Sequence, residues 1–146
     1  MVIKNILIVD DDAEDIEFFT TAVQQIDPVM AVKVAFDKEE LFLHLHNHKP
    51  DIVFIDSFLQ NESGHHSIQE IRDLPGLTTL PIIMYTGASV AESITLAFEM
   101  GASAYIVKPH SLAEIKKVLQ IFLHKDWHAN SSPQKQYYAD RQFHNL

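Results

Sequence analysis

Short apolar runs alternate along this chain with segments whose apolar residues recur every three or four positions. Four of the runs contain no charged residue, as is typical of strands covered on both faces of a parallel sheet. They span residues 6–9, 52–55, 82–85 and 104–107. A fifth run, residues 32–36, alternates apolar and polar residues, as an edge strand does. The pattern predicts five strands alternating with five helices.

The predicted helices follow capping signals. Asp37, Ser89 and Ser111 each stand three residues before a glutamate, which is the spacing of a capping box or a related N-cap. Strands joined through helices require right-handed crossovers and therefore form a parallel sheet. We predict an α/β, flavodoxin-like (βα)5 doubly wound sandwich with a five-stranded parallel sheet of order 2-1-3-4-5.

The chain length and the change in composition near the C-terminus predict one domain and a tail. The 146 residues suit a single domain, which we place at residues 1–127. Residues 128–146 are mostly polar and show no sustained helical or strand period. We expect either a flexible tail or an arm that contacts a partner through Tyr137, Tyr138 and Phe143.

Charge and composition exclude several classes of partner and site. A formal charge of −9 disfavours nucleic acid and anionic membranes as partners. The absence of cysteine excludes disulfides and thiolate metal sites. No run approaches the roughly 20 apolar residues of a membrane helix, and the first apolar run is too short for a signal peptide. We therefore expect a cytoplasmic protein.

Polar side chains follow four of the predicted strands at the point where each strand ends. They are Asp10, Asp11 and Asp12, then Asp56, then Thr86 and Gly87, and finally Lys108. Because the carboxyl ends of parallel strands meet at one edge of the sheet, where such folds bind ligands, we expect these groups to lie together.

The chemistry of this group favours a divalent cation and a phosphoryl group. Neighbouring carboxylates repel one another unless a cation is present, and Mg²⁺ suits Asp11 and Asp56 with Asp10 in support. Lys108 can neutralise a dianionic group on Asp56, while Thr86 and the backbone N–H of Gly87 supply hydrogen-bond donors. Such residues can form and stabilise an acyl phosphate on a carboxylate.

Four segments in this order and spacing resemble the receiver domain of bacterial two-component response regulators. They are Ile6-Leu7-Ile8-Val9-Asp10-Asp11, Pro50-Asp51-Ile52-Val53-Phe54-Ile55-Asp56, Met84-Tyr85-Thr86-Gly87, and Gly101-Ala102-Ser103-Ala104-Tyr105-Ile106-Val107-Lys108-Pro109. The resemblance extends from residue 1 to about residue 127.

The resemblance implies a role for each site residue. Asp56 is the implied phosphoacceptor, Lys108 and Gly87 contact the phosphoryl group, and Thr86 is the switch hydroxyl. Tyr105 matches the aromatic residue that swings inward when the hydroxyl closes on the phosphoryl group. Mg²⁺, for which Mn²⁺ can substitute, would be held by Asp10, Asp11, Asp56 and the backbone carbonyl of Phe58.

The resemblance also implies partners. The phosphoryl donor would be a sensor histidine kinase or a histidine phosphotransfer protein, and the subgroup paired with phytochrome-like kinases is the one suggested by the acidic surface, Trp127 and the polar tail. Without a following effector domain, the output would be binding to a downstream protein or a homodimer.

The acceptor loop departs from the family pattern in ways that bear on turnover. Gln60 stands where the family usually has proline, so the turn is less pre-set. The residues two past the acceptor and two past the switch hydroxyl are Phe58 and Ala88, and neither can orient a water molecule. We expect slow autodephosphorylation.

Two other functions are compatible with parts of the sequence. Asp10-x-Asp12 after a strand is also how haloacid-dehalogenase-type phosphatases begin, but that interpretation leaves Asp56 without a role. A receiver-like docking module that is never phosphorylated would not need the complete set of polar residues.

The histidines are interpreted without a ligand role. We interpret His44, His46 and His48 as surface residues because no third metal ligand accompanies the i, i+4 pair. His65 and His66 are expected to be solvated residues at a helix start.

Overall fold

The computed structural model describes residues 2–128 and 135–146. The described strands are β1 (Asn5–Val9), β2 (Ala31–Ala35), β3 (Ile52–Ile55), β4 (Phe58–Leu59), β5 (Glu62–Ser63), β6 (Ile82–Thr86), β7 (Ala104–Val107), β8 (Gln136–Ala139) and β9 (Gln142–Asn145). The described helices are α1 (Ala13–Ile26), α2 (Lys38–Asn47), α3 (Gly64–Arg72), α4 (Ala91–Glu99) and α5 (Leu112–His124).

The main sheet confirms the predicted order for the five strands that the sequence pattern identified. Its order is β2-β1-β3-β6-β7-β8-β9, and the first five of these pair in parallel. Their order along the sheet is the predicted 2-1-3-4-5. The short strands β4 and β5 form a separate antiparallel hairpin directly after β3. The fold is the expected flavodoxin-like α/β fold.

Two additional strands correct the prediction of a five-stranded sheet and an irregular tail. Strand β8 pairs in parallel with β7, and β9 returns antiparallel to β8, so the sheet has seven strands. We call residues 136–145 the C-terminal hairpin. Tyr138, expected in an arm free to contact a partner, is 3% exposed and part of the core. The rest of the predicted tail includes residues 129–134, which lie outside the described residues.

Apolar side chains cover both faces of the sheet, as the uninterrupted runs require. One cluster lies between the sheet and helices α1 and α5, where Phe19, Phe54 and Tyr85 make edge-to-face ring contacts. The other cluster lies under α2, α3 and α4 and contains the fully buried Tyr105. Each apolar side chain on the central strands therefore packs into one of these two clusters. This packing holds the polar groups beyond the strand ends in fixed positions.

The helix caps mostly follow the sequence signals. Asp37 accepts a hydrogen bond from the N–H of Glu40 at 2.8 Å, and Ser111 accepts one from the N–H of Glu114 at 3.2 Å. The prediction for Ser89 is wrong, because α4 starts one residue later with Val90 at the cap and no side-chain cap bond. The apolar face of α4 is enough to fix its position without a cap.

A partly buried guanidinium joins the segments at the amino ends of β6 and β7. Arg72, at the end of α3, donates hydrogen bonds to the carbonyls of Leu77, Thr78, Leu80 and Gly101 and to the hydroxyl of Ser103.

Within residues 2–128 and 135–146, no helix combines the length and the apolar character needed to cross a bilayer.

Candidate functional site

The polar residues at the strand ends meet at one edge of the sheet, as predicted. Backbone hydrogen bonds extend the strand pairing to the site residues: the N–H of Asp10 donates to Ala35, that of Asp56 donates to Val9, and that of Lys108 donates to Thr86. These bonds direct the side chains of the three residues into a common space. Asp10 is completely buried there.

The ammonium group of Lys108 lies at the centre of this cluster. Its Nζ lies 2.8 Å from Asp10 Oδ2, 2.8 Å from Asp15 Oδ2 and 2.9 Å from Asp56 Oδ2. The contact with Asp15 was not predicted. An acidic residue in the first turn of the helix after β1 was the available signal, but such a residue is also explained by the helix dipole alone. Lys108, after β7, thus joins two other parts of the chain that are far from it in the sequence, residues 10–15 and Asp56.

Burial and hydrogen bonding act in opposite directions on the two groups of this ion pair. Burial raises the pKa of Asp10 above its usual value, although the hydrogen bonds from Lys108 and from the N–H of Asp12 favour the carboxylate. Burial by itself would lower the pKa of Lys108, but its hydrogen bonds with Asp10, Asp15 and Asp56 together outweigh burial and raise it. Lys108 is therefore a permanent cation at neutral pH.

The acceptor loop supplies a hydrogen bond that a proline could not make. The N–H of Gln60 donates to Asp11 Oδ2 at 3.1 Å, and Gln60 and Asn61 both have positive φ angles, 42° and 70°. Proline has no N–H and is restricted to negative φ. The departure at Gln60 thus gives a tight β4–β5 turn that holds one carboxylate oxygen of Asp11.

The remaining carboxylate oxygens suit a hard cation. Among the described residues, Oδ1 of Asp11 and Oδ1 of Asp56 accept no hydrogen bond, whereas both oxygens of Asp10 are occupied, by the N–H of Asp12 and by Lys108. No group of three or more histidine, aspartate or glutamate side chains is arranged as a metal site in the described part of the chain. Mg²⁺ needs only one or two protein carboxylates because it retains water ligands. The donor set fits Mg²⁺ with Asp10 in an indirect role.

Thr86 contacts Ser57, the residue that follows Asp56. The hydroxyl of Thr86 shares a hydrogen bond of 2.7 Å with that of Ser57, and the N–H of Ala88 donates to it at 3.4 Å. Thr86 is 3% exposed, so its hydroxyl is oriented by these partners and not by solvent.

Tyr105 is fixed in the interior by its phenol group. The hydroxyl donates to the carbonyl of Ala88 at 2.6 Å and shares a 2.8 Å hydrogen bond with Ser93. His65 reaches the same place, since its Nε2–H donates to the carbonyl of Ser93 at 2.9 Å. The prediction that His65 is solvated is wrong: it is 7% exposed and joins α3 to α4. The sequence signal did not separate it from the exposed His66.

Asp56 and α3 approach each other closely at Gly64. A Cβ atom added to Gly64 would lie 1.9 Å from the backbone carbonyl oxygen of Asp56. The N–H of Gly64 also donates to the carbonyl of Ser57 at 2.8 Å. The absence of a side chain at this position therefore sets the position of the acceptor backbone.

Two other histidines lie in α2 and at its C-terminal cap, away from the Lys108 cluster. The ring Nε2–H of His44 donates to the carbonyl of Val34 at 3.0 Å, and His48 caps the C-terminus of α2. These contacts are structural and are compatible with the interpretation that His44 and His48 have no ligand role.

Phe58 and Gly87 also lie at the site edge, in the acceptor loop and in the segment after β6. Phe58 is the first residue of β4, and its side chain is 61% exposed beside the acceptor. Gly87 lines a cleft of about 590 Å³ together with Lys108, His110 and the turn of the C-terminal hairpin. The hairpin thus forms one wall of the space next to Lys108, which sequence reasoning missed.

Comparison with known sequences identifies the family. The family model for the response regulator receiver domain matches residues 6–120. A protein from Guillardia theta named probable transcriptional regulator ycf27 is 34% identical over 123 residues, which cover 84% of this chain and 46% of that protein. The chain therefore spans about half the length of this curated relative.

Comparison with solved structures gives the same fold. The Mn²⁺-bound form of the response regulator Rcp1 matches with a TM-score of 0.76 at 16% identity, covering 84% of this chain and 96% of that one. The phosphorylated cyanobacterial phytochrome response regulator RcpA matches with a TM-score of 0.74 at 21% identity, covering 82% and 90%. With the family match over most of its length, this chain belongs to the response regulator receiver domains, the phosphoacceptor domains of two-component signalling.

Proposed function

We propose that Asp56 is the phosphoacceptor of this receiver and that the chain signals by binding other proteins. The observation that carries the assignment is the ion pair between Lys108 and Asp56, 2.9 Å long, inside a cluster of three carboxylates. A cation already in contact with the acceptor oxygen can neutralise the phosphoryl group as it arrives.

The residues around Asp56 have separable tasks. Lys108 contacts the transferred group, the hydroxyl of Thr86 and the N–H of Gly87 donate to its oxygens, and Asp10 and Asp15 hold Lys108 in place. As the P–N bond of a phosphohistidine breaks, a P–O bond forms to a carboxylate oxygen of Asp56, and the released imidazole nitrogen takes up a proton. No general base is needed, because the acceptor is already a carboxylate.

Mg²⁺ is the cofactor that fits this donor set, and Mn²⁺ is the expected substitute. Asp11, Asp56 and the carbonyl of Phe58 would hold the ion, supported by Asp10, and the ion would neutralise charge on the phosphoryl oxygens. The N–H of Gln60 binds Oδ2 of Asp11 and thereby orients this carboxylate, leaving Oδ1 for the ion.

The partners follow from the receiver family and the acidic surface. The donor would be a sensor histidine kinase or a histidine phosphotransfer protein, with the group of kinases that includes phytochromes as the candidate class. Tyr105 and Thr86 would carry the change to a surface that binds a downstream protein or a second copy of the chain. We further propose that residues 1–127 form the receiver, that it acts in the cytoplasm, and that its catalysis is limited to its own phosphorylation and dephosphorylation.

Slow loss of the phosphoryl group is part of this proposal. Phe58 and Ala88 flank the acceptor and offer no side-chain polar atom to orient an attacking water. We expect a phosphoryl lifetime of minutes or longer, and a lifetime of seconds would contradict the expectation.

The test is intact-mass analysis after incubation with acetyl phosphate and Mg²⁺. We expect one phosphoryl group on the wild type, none on Asp56→Asn, and none when the metal is chelated. An adduct that persists in Asp56→Asn would disprove the assignment. Absence of any adduct on a folded wild type would favour the docking module.

The structure gives less support to the phosphatase alternative. Its acid/base residue would be Asp12, but one oxygen of Asp12 accepts hydrogen bonds from the N–H groups of Glu14 and Asp15 and caps α1. A carboxylate used as a helix cap is poorly placed to exchange protons with a substrate. Release of phosphate from acetyl phosphate by Asp56→Asn, without an adduct, would revive this alternative.

A further inference from the structure

Tyr105 connects the interior of the domain to the segment that faces Asp56. Its hydroxyl donates to the carbonyl of Ala88, and the N–H of the same residue donates to the hydroxyl of Thr86. The position of the Tyr105 ring therefore fixes the peptide that follows the switch hydroxyl. Any contact that holds this ring inward also holds the donors around the acceptor.

Tyr137, in the C-terminal hairpin, lies next to Tyr105 across the sheet. The two residues are register partners in the parallel pair of β7 and β8. Paired residues of neighbouring strands, which run about 4.8 Å apart, project on the same face of a sheet. Tyr137 packs against the cluster that contains Tyr105. It therefore occupies the side on which an outward-turned Tyr105 would have to lie.

The hairpin is fastened to the domain by contacts on the opposite face of the sheet. The hydroxyl of Tyr138 donates to Glu114 Oε1 at 2.6 Å, and Phe143 packs against Tyr138 and Phe122 with ring centroids 5.0 and 5.8 Å apart. Tyr137 itself is backed by the ring of His144, stacked at 4.8 Å. These anchors allow the effect of the Tyr137 side chain to be separated from docking of the hairpin.

The hairpin is an addition to the matched family pattern. The receiver model ends at residue 120, and the C-terminal hairpin begins at residue 136. Without it, β7 would be the last strand of the sheet, and the ring of Tyr105 would have an open path at the sheet edge.

We propose that Tyr137 is a positioning residue for the phosphorylation of Asp56. By closing the outward path of Tyr105, it arranges the segment of residues 86–88 before the phosphoryl group arrives. Docking of the hairpin and phosphorylation of Asp56 then favour each other, because a coupling between two sites acts equally in both directions. This inference rests on the proposed function of Asp56.

The kinetic test compares Tyr137→Ala with two controls in the full chain. Tyr137→Phe keeps the ring, and Phe143→Ala weakens the same hairpin on the opposite face. We expect the rate of phosphorylation at saturating acetyl phosphate to fall about fivefold or more in Tyr137→Ala, at the lower end of typical coupling between sites. Tyr137→Phe should stay close to the wild-type rate. Phe143→Ala should lose clearly less than Tyr137→Ala, because it keeps the Tyr137 ring and the bond between Tyr138 and Glu114. The half-saturating donor concentration should change little in all variants.

Hydrogen exchange provides a second readout, and its measurement on the wild type does not depend on how well the variants fold. In the wild type, phosphorylation should slow amide exchange in residues 136–139. In unphosphorylated Tyr137→Ala, residues 84–92 should exchange faster than in Phe143→Ala.

Three outcomes would overturn the inference while leaving the function of Asp56 intact. They are a wild-type rate in Tyr137→Ala, an equal loss in Phe143→Ala, and exchange in residues 136–139 that does not respond to phosphorylation. A wild type that accepts no phosphoryl group on Asp56 would instead disprove the proposed function.

Discussion

Two partly buried cations lie at opposite ends of the sheet, and their partners differ in kind. At the carboxyl end, Lys108 faces three carboxylates within 2.9 Å. At the amino end, Arg72 has no ion pair among the described residues and donates to four backbone carbonyls and one hydroxyl. Burial lowers the pKa of Arg72, whereas hydrogen bonds to carboxylates raise that of Lys108.

The difference separates a structural site from a reactive one. The partners of Arg72 are four backbone carbonyls and one hydroxyl, and together they use all three nitrogens of its guanidinium. One ammonium among three carboxylates leaves excess negative charge, which favours a divalent cation. The proposed phosphoacceptor site needs a divalent cation and therefore this imbalance, whereas a site that only joins loops does not.

The largest expected effect comes from removing the cation at the reactive end. In Lys108→Met, the rate of labelling by acetyl phosphate should fall at least about 100-fold, since a charge that stabilises the transferred group is lost. The free energy of unfolding at pH 7 should fall by about 3 kcal/mol, because the buried carboxylate of Asp10 loses its partner. Intact-mass kinetics and urea denaturation measure the two effects.

The pH dependence of Lys108→Met provides its control. Without the ammonium, the pKa of Asp10 in the folded state should rise further above its unfolded value of 3.8. A raised folded pKa means that folding takes up a proton, so the variant should become more stable as the pH falls from 7 towards 5. The stability difference from the wild type should therefore narrow at pH 5. If the difference in unfolding free energy between the variant and the wild type is larger at pH 5 than at pH 7, the carboxylates are not the destabilised groups.

Replacing Arg72, the cation at the amino end of the sheet, should lower the free energy of unfolding and leave the rate of labelling by acetyl phosphate unchanged. Arg72→Met leaves buried carbonyls without donors and should lower the free energy of unfolding by about 3 kcal/mol. Its labelling rate, measured well below the unfolding transition, should stay near that of the wild type. Ser103→Ala removes one acceptor from Arg72 and also the acceptor of the Ile82 N–H, and should cost about 1–3 kcal/mol. A strong loss of labelling in folded Arg72→Met would mean that the two ends are coupled.

Two glycine substitutions, one at each end of the sheet, test the same comparison with smaller expected effects on stability and labelling. Gly64→Ala forces a Cβ against the carbonyl of Asp56 and should cost about 1–3 kcal/mol while slowing labelling. Gly101→Ala, at φ +109°, forces a Cβ to 2.8 Å from Cγ of Arg72 and should reduce stability alone. Comparable labelling losses in both variants, measured at equal folded fraction, would contradict the separation.

The smallest expected effect concerns the acceptor loop. Gln60→Gly keeps the N–H that binds Asp11 and removes a side chain from a residue with φ 42°, so it should stabilise the protein by about 0.5–1 kcal/mol. Gln60→Pro cannot adopt this φ and lacks the N–H, so it should destabilise the fold. Thermal unfolding of the two variants checks the sign, and equal effects would contradict the assigned turn geometry.

The sequence predicted the five central strands and the groups at their ends because both are local signals. An uninterrupted apolar run indicates a strand covered on two faces, and the residue after it lies at the sheet edge whatever the neighbouring strands are. Asp10, Asp56 and Lys108 were found in this way, and the structure places them within one ion-pair cluster.

The missed features depend on contacts between distant segments. The C-terminal hairpin is polar in composition, and it becomes part of the sheet because β7 offers an unpaired edge. His65 and His66 have the same local sequence signal, but only His65 faces α4. By sequence, Asp15 is an ordinary acidic residue in the first turn of a helix, and only the structure shows its contact with Lys108.

By itself, the sequence determined the family, the order of elements and the chemistry available at the sheet edge, since these depend on residue type and period. Only the tertiary structure decided which carboxylates share Lys108, that Gln60 holds Asp11, and that Tyr137 stands beside Tyr105. Those pairings depend on distances between segments that are up to 98 residues apart in the chain. No local period encodes such distances, because they arise from the packing of the whole sheet.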